Sequence, residues 1–272
     1  MNRGFSARNL KYMRAFGEAW GEPEFVQRAV AQIPWGHHCS LLDKVKDPTE
    51  RAWYVQASLE HGWSRTVLVH QIERRLYHRQ GRAQTNVSRT LPAPQSDLAH
   101  QTLKDPYNLE FLDVADDVAE RELERALIAN IRDFLLELGV GFAFVGSQYK
   151  LTVGDRDLYL DLLFYHLKLR CYVVVELKTV DFEPEHVGQL SFYLRASDDL
   201  LRAPDDHPSI GILLCKSGDR TVVEYALGEA NKPIGVSRYE LSPSLPEDLK
   251  SALPSPEALE KRLRLSSEPD DE

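Results

Sequence analysis

Long apolar runs are missing from this sequence: stretches such as Tyr172 to Val175 and Ile210 to Cys215 are far shorter than the roughly 20 residues a bilayer requires. No segment is therefore expected to span a membrane. The N-terminus lacks the basic-then-apolar order of a secretory leader, so export is not expected either. Cysteine is scarce: Cys39, Cys171 and Cys215 are odd in number and widely spaced, and two of them lie in apolar, strand-like runs. Buried thiols are expected rather than a disulfide framework or a metal knot. A Gly-rich phosphate loop, HExxH and GxSxG are all absent, which leaves nucleotide hydrolysis, zincin chemistry and serine-esterase chemistry without support. His37-His38-Cys39 has no second pair at ligand spacing and reads as a turn or helix start rather than a zinc site.

An overall excess of basic residues is missing too. The 272-residue chain carries a formal net charge of −9, which argues against indiscriminate coating of a polyanion. The charge is nevertheless divided. Residues 1–90 hold 14 Lys/Arg and 8 Asp/Glu, whereas residues 91–272 hold 19 and 34. The first part could hold phosphates; the second fits a polyanion only where some carboxylates serve as metal ligands, most of the rest being solvated surface. With 43% hydrophobic and 28% charged residues and no long low-complexity tract, the chain is expected to fold, as two domains by its length.

Turning to what is present, residues 1–90 read as an all-helical domain. Ser6 can cap a helix running through Trp20, and Asp47-Pro48-Thr49-Glu50 supplies an N-cap, a first-turn proline and a third-position Glu for another. Gly62 ends that helix, and Ser64 opens a further one, with Val67, Ile72 and Leu76 expected inward and Arg65, Arg74, Arg75 and Arg79 mostly outward. A helix, short turn and helix could set Arg65, Arg74 and Arg75 against DNA, but helical hairpins are common and packing or protein contact is the favoured reading. Residues 91–108, punctuated by Pro92, Pro94 and Pro106, read as a connector.

A long helix is expected from about Asp116 to Leu138, stopped by Gly139 as a left-handed cap. The period then becomes extended: Phe142 to Leu151, Leu158 to His166 and Arg170 to Lys178 read as successive strands, with Gly154-Asp155 as the first turn. A helix from Pro184 to about Arg202 and a strand from Ile210 to Lys216 follow. The αβββαβ order over residues 109–250 predicts an α/β domain with a mixed central sheet, trailed by a helical, acidic tail over 251–272.

If the hairpin between the second and third strands is centred between Lys168 and Leu169, Asp161 faces Glu176 and Tyr159 faces Lys178. Alternation puts Asp161, Glu176 and Lys178 on one face, the opposed carboxylates about 5 Å apart at Cβ. Such neighbours repel and lose hydration, so they need a cation or a proton. Mg²⁺ answers both needs, taking one or two carboxylates with water and phosphate oxygen completing its shell. Lys178 could then steady the attacking water or the phosphate. Alone, Glu176-Leu-Lys178 would be a surface ion pair; what changes the balance is its emergence from Val173-Val174-Val175, opposite an Asp inside the apolar run Leu160 to Phe164.

On the preceding helix Leu123, Leu127, Ile131, Phe134 and Leu138 form one stripe. Glu124 falls within it; Glu120 is the competing choice, and a partly buried pair with an Arg is the bland alternative. Gln189 and Tyr193 share one face of the later helix.

These residues resemble a known signature. Asp161 followed by Glu176-Leu-Lys178 looks like the PD-(D/E)xK nuclease motif of the restriction-endonuclease-like fold, and Gln189-x-x-x-Tyr193 is similar to the accessory motif of its RecB-like branch. Gly4-Phe-Ser-Ala-Arg-Asn-Leu-Lys-Tyr-Met13, Pro34-Trp-Gly-His37, Gly62-Trp-Ser-Arg65, Leu91-Pro-Ala-Pro94, Lys104-Asp-Pro-Tyr107 and Tyr159-Leu-Asp-Leu-Leu-Phe-Tyr-His166 together resemble the bacterial YhcG family across nearly the whole chain. The resemblance implies a cytoplasmic bacterial nuclease acting on DNA with Mg²⁺ or Mn²⁺. It assigns Asp161, Glu176 and the Leu177 carbonyl to the metal, Lys178 to the water, Glu124 to a supporting or second-metal position, and Gln189 and Tyr193 to the substrate or Lys178. Relatives carry further helical sequence ahead of Gly4, so an N-terminally shortened form is expected. Cutting both strands would call for a homodimer. The alternative is a catalytically silent nucleic-acid- or protein-binding module that keeps the fold.

Overall fold

A computed structural model describes residues 6–20, 30–112 and 114–241; the tail expected at 251–272 lies outside the described residues. The first helices form where the caps predict them. Helix α1 (Ala7–Ala19) starts at Ser6, whose hydroxyl accepts from Asn9 N. It is followed by α2 (Trp35–Lys44) and by α3 (Pro48–His61), which is capped by Asp47 and closed by Gly62 in the left-handed conformation. Ser64 caps α4 (Arg65–Glu73). The expected continuation into Leu76 is interrupted: Arg75 takes φ 51° and a separate turn, α5 (Leu76–Arg79), follows. Leu41, Tyr54, Val55, Leu68, Ile72 and Leu76 form the core of this part. Buried Tyr54 loses no hydrogen bond, since its hydroxyl donates to Gln71 O and accepts from Tyr77 N.

The stretch 91–108 is not a bare connector. After β1 (Gln84–Thr85) and α6 (Val87–Thr90) it contains α7 (Gln95–Thr102) and β2 (Tyr107–Asn108). Leu91, Ala99, Leu103 and Tyr107 are buried in the same core as the sheet. Contact is close: a Cβ added at Gly235 would sit 2.7 Å from Leu103 Cδ1, so any larger residue would require Leu103 to shift. Prolines here mark turns between packed pieces rather than a solvated linker.

The helix expected from Asp116 to Leu138 is two helices, α8 (Glu120–Ala129) and α9 (Ile131–Leu138). Asn130 divides them at φ −111°, ψ 32°, its side-chain amide donating to Ala126 O, as short polar side chains do when they compete with the helical ladder. Gly139 closes α9 with φ 111° and ψ −174°, a positive-φ stop outside the left-handed helical region.

Strands β3 (Phe142–Val153), β4 (Arg156–His166) and β5 (Cys171–Leu177) are antiparallel. Helix α10 (Pro184–Leu200) crosses to β6 (Ile210–Cys215), and α11 (Arg220–Glu229) to β7 (Ile234–Glu240); β5, β6 and β7 are parallel. The order is β1-β7-β6-β5-β4-β3, with β2 beside β7, a mixed sheet. Leu123, Leu127, Phe134 and Leu138 pack against Leu162, Phe164, Val173 and Val175 on one side. Val187, Leu190, Leu194 and Leu227 pack against Leu163, Val174 and Leu213 on the other. Burial on both faces explains why these strands are continuously apolar, each large side chain contributing roughly 1.5–3 kcal/mol. Among the described residues no helix is long and apolar enough to cross a membrane.

Candidate active site

The register of β4 and β5 follows the expected hairpin: Leu162 faces Val175, Phe164 faces Val173 and His166 faces Cys171. Asp161 and Glu176 occupy the next position, where the ladder ends. Asp161 turns its Oδ2 back to accept from Leu177 N at 2.9 Å. The ladder does not extend to Tyr159, which pairs with Lys150 of β3 instead of facing Lys178.

Lys178 follows β5 directly, its N donating to Leu214 O of β6 at 2.8 Å. Its ammonium donates to Glu176 Oε1 at 3.1 Å and to Glu120 Oε1 at 3.4 Å. The competing helix carboxylate is thus engaged as well, through the lysine. Glu124 is buried at 7% exposure and among the described residues pairs with no arginine; its Oε2 accepts from Gln148 Nε2 at 2.7 Å. The same Gln148 nitrogen lies 3.2 Å from Asp161 Oδ1, so one amide bridges the two carboxylates. Gln148 is the residue that sequence reasoning missed. It stands at φ 43°, shortly after the register shift between Phe144 and Gly146, and neither alternation nor composition announces it.

Burial sets the electrostatics. Asp161 and Glu176 are 8% and 2% exposed, and Glu176 Oε2 has no hydrogen-bond partner among the described residues. Burial first, and the neighbouring Asp161 second, push the Glu176 carboxyl up to about 8, with Lys178 opposing. Burial likewise raises Asp161, against the Leu177 N–H, and raises Glu124, against the Gln148 hydrogen bond. Burial alone would lower Lys178, but Glu176, Glu120 and Asp161 outweigh it and hold the ammonium above its ordinary value. The group is therefore a fixed cation at neutral pH.

Such a site wants more positive charge than Lys178 provides, and an orphaned carboxylate oxygen beside a second buried carboxylate is the donor set that an oxygen-seeking divalent ion takes. The fit is to an ion held by two carboxylates and other oxygens. Among the described residues no three His, Cys, Asp or Glu side chains are grouped closely enough to hold a metal by themselves.

Gln189 and Tyr193 lie on α10, hydrogen-bonded to each other at 2.9 Å, and neither bonds to Asp161, Glu176 or Lys178. Of the three arginines expected to face DNA, Arg65 and Arg75 are exposed, Arg65 also donating to Ser40 Oγ. Arg74 and Arg79 turn inward, contrary to expectation. Arg79 pairs with fully buried Glu137 of α9, while Arg74 lies 3.7 Å from the same carboxylate and over the Phe111 ring, because a charge buried at Glu137 needs compensation. Lys104 completes the cluster by donating to the Glu137 carbonyl.

A mixed sheet buried on both faces, with paired carboxylates and a lysine at the end of its central strand, defines the class of PDDEXK nuclease domains. A family model described as the YhcG PDDEXK nuclease domain matches residues 100–254, and the DUF1016 N-terminal domain matches residues 1–79. The chain is 33% identical over 282 residues to "Putative nuclease YhcG" of Escherichia coli (strain K12), covering 92% of this chain and 74% of that protein. It belongs to the YhcG family. Two solved structures are more distantly similar. A repair endonuclease from Pyrococcus abyssi is 18% identical with a TM-score of 0.32, over 46% of this chain and 48% of its own. The EndoMS–dsDNA2 complex is 20% identical with a TM-score of 0.32, over 44% of this chain and 46% of its own. The chain thus spans about half the length of those two.

Proposed function

We propose that this protein is a Mg²⁺- or Mn²⁺-dependent nuclease that hydrolyses phosphodiester bonds of DNA. The observation that carries this reading is the buried Asp161–Glu176 pair with the cationic Lys178 beside it, set at the end of an otherwise apolar sheet. Asp161, Glu176 and the Leu177 carbonyl would hold the ion. When bound, the ion polarises the phosphate and acidifies a water molecule.

The protein's own groups supply the rest. The Leu177 N–H and the Gln148 amide fix the two oxygens of Asp161. Lys178, held cationic by Glu176 and Glu120, stabilises the charge that develops on the phosphoryl oxygens and orients the attacking water rather than taking its proton. Glu124 supports the ligand position through Gln148. Gln189 and Tyr193, exposed or half-buried on α10, reach the substrate rather than the carboxylates.

In the same reading the helices of the first part form a module of their own, with Arg65 and Arg75 offered to a duplex. That module is seated on the nuclease part by Gln71, which donates to Leu136 O at 3.2 Å, and by the Glu137 cluster. A cut in both strands would use two copies.

The test is incubation of the purified protein with supercoiled plasmid and with a linear fragment, in Mg²⁺, in Mn²⁺ and in EDTA. Metal-dependent relaxation of the plasmid is the expected result. No cleavage of either DNA in any metal would remove this reading.

A further inference from the structure

Lys178 does not stand alone at the carboxyl ends of the parallel strands. Glu176 is in register with Leu213 of β6, which faces Val236 of β7, and two residues further along Cys215 faces Arg238. Continuing the same register brings Lys178 level with Cys215. Lys178, Cys215 and Arg238 therefore form a row on one face of the sheet. With strands about 4.8 Å apart, Arg238 sits about 10 Å from the lysine.

A groove of about 850 Å³ is lined by Cys215 and Arg238, the β6 and β7 members of this row, and runs to the β1 edge; Lys178 lies one strand beyond its lining. Its basic walls include Arg82, just before β1, Arg220, the first residue of α11, and Arg238. Arg82 and Arg220 are exposed, and among the described residues neither forms an ion pair. Arg238 is half-exposed and pairs with Asp105 at 3.4 Å. A fourth lining arginine, Arg89, is committed to the Leu227 and Ala230 carbonyls. Against these stand two lining carboxylates, Asp105 and Glu224. The groove is thus net basic, with Arg82 and Arg89 coming from the basic residues 1–90 and Arg220 and Arg238 from the otherwise acidic remainder.

Open sheets of this kind bind ligands beyond the carboxyl ends of their parallel strands. Two uncommitted guanidiniums and a third already oriented by Asp105 suit phosphate oxygens, which take planar bidentate donors.

We propose that this groove is a phosphodiester-binding tract: a nucleic-acid strand whose scissile phosphate lies at Lys178 continues across β6 and β7, with backbone phosphates on Arg82, Arg220 and Arg238. The assignment rests on the nuclease reading for its orientation, not for its chemistry. At a rise of 3.4 Å per nucleotide, the tract begins within about three nucleotides of the cut.

The experiment is fluorescence anisotropy of the full chain with labelled 20-nucleotide single strands and duplexes in EDTA, over a series of salt concentrations. It compares wild type, Arg82→Ser/Arg220→Ser, Arg82→Lys/Arg220→Lys and Glu224→Lys, with cleavage in Mg²⁺ run in parallel. The double serine variant should bind at least tenfold more weakly. Its salt slope should fall by about 1.4 on a single strand or about 1.8 on a duplex, as two phosphate contacts disappear. The lysine pair should keep most of the affinity and Glu224→Lys should gain it, a result that loss of folding cannot produce. In cleavage the serine variant should raise KM far more than it lowers kcat. Unchanged affinity and slope in both the serine and the Glu224→Lys variants overturn the tract while leaving the nuclease reading intact if cleavage proceeds. Loss of binding in the serine variant and gain in Glu224→Lys, with no cleavage by wild type, keeps the tract and removes the nuclease.

Discussion

Leu177 donates its backbone N–H to the Asp161 carboxylate at 2.9 Å, just beyond the last paired residues of β4 and β5. The bond gives Asp161 a structural duty beside the chemical one proposed for it, and two substitutions separate them. Asp161→Asn keeps an oxygen for Leu177 but loses the charge. It should unfold within about 1 kcal/mol of wild type while losing cleavage by 10²-fold or more. Asp161→Ala leaves a buried N–H unpaired and should cost a further ~1–3 kcal/mol in urea denaturation. Equal stability of the two variants would show that the bond contributes nothing.

Gln148 bridges Glu124 and Asp161 through one amide nitrogen. Groups that orient ligands typically matter by 10- to 100-fold in metal affinity. Gln148→Ala should therefore raise the Mg²⁺ concentration for half-maximal cleavage by that factor. Its melting temperature should fall only modestly, because alanine inherits the same positive φ and Gln148 is exposed, so water can replace its amide at the two carboxylates. Gln148→Gly should show the same metal defect with equal or higher stability, since glycine tolerates that backbone. An unchanged metal requirement in both would reduce Gln148 to a packing residue.

The buried cluster at Glu137 joins the helical part to the sheet. Burial alone would raise this carboxyl, but Lys104 and Arg79 hold it below its ordinary range. Glu137→Ala strands those cations and leaves Asn108 N without its acceptor, so a loss of about 3–5 kcal/mol is expected. Urea denaturation gives that figure. Limited proteolysis should show the residues before Arg79 becoming accessible at lower urea than the sheet.

His166 is buried, and its Nδ1 accepts from Leu169 N at 3.0 Å. Burial pulls its pKa down to about 4. The unfolded histidine takes a proton below about pH 6.5 and the native one only near pH 4, so stability should fall as pH drops through that window, by up to roughly 3 kcal/mol. His166→Asn should remove this part of the pH dependence. Parallel stability curves for the two proteins between pH 6.5 and 4 would contradict the assignment.

Much of the site is legible in the sequence because its signals are local. Hairpin symmetry about Lys168 and Leu169 pairs Asp161 with Glu176, and the register of Leu162 with Val175 follows it. The helical stripe singles out Glu124, and its burial agrees. What escapes is non-local. Gln148 reaches the site through a distorted backbone after a register shift, which a strict two-residue period does not anticipate. Arg79 looks outward on its own helix and is drawn inward by Glu137, 58 residues later. The prolines of 91–108 suggest a linker, whereas Leu91, Leu103 and Tyr107 are core residues whose partners lie on strands more than fifty residues away. Asn130 breaks a helix that its apolar stripe runs straight through.

The most direct measurement sets Lys178→Ala beside wild type on circular and linear DNA in Mg²⁺, with DNA binding measured on the same preparations. The account predicts metal-dependent cleavage by wild type, lost by 10²-fold or more in the variant, while binding stays within a few-fold. Cleavage that survives in Lys178→Ala would contradict the role given to the site. Wild type and variant both inert while DNA still binds would leave the fold in place without the catalysis proposed for it.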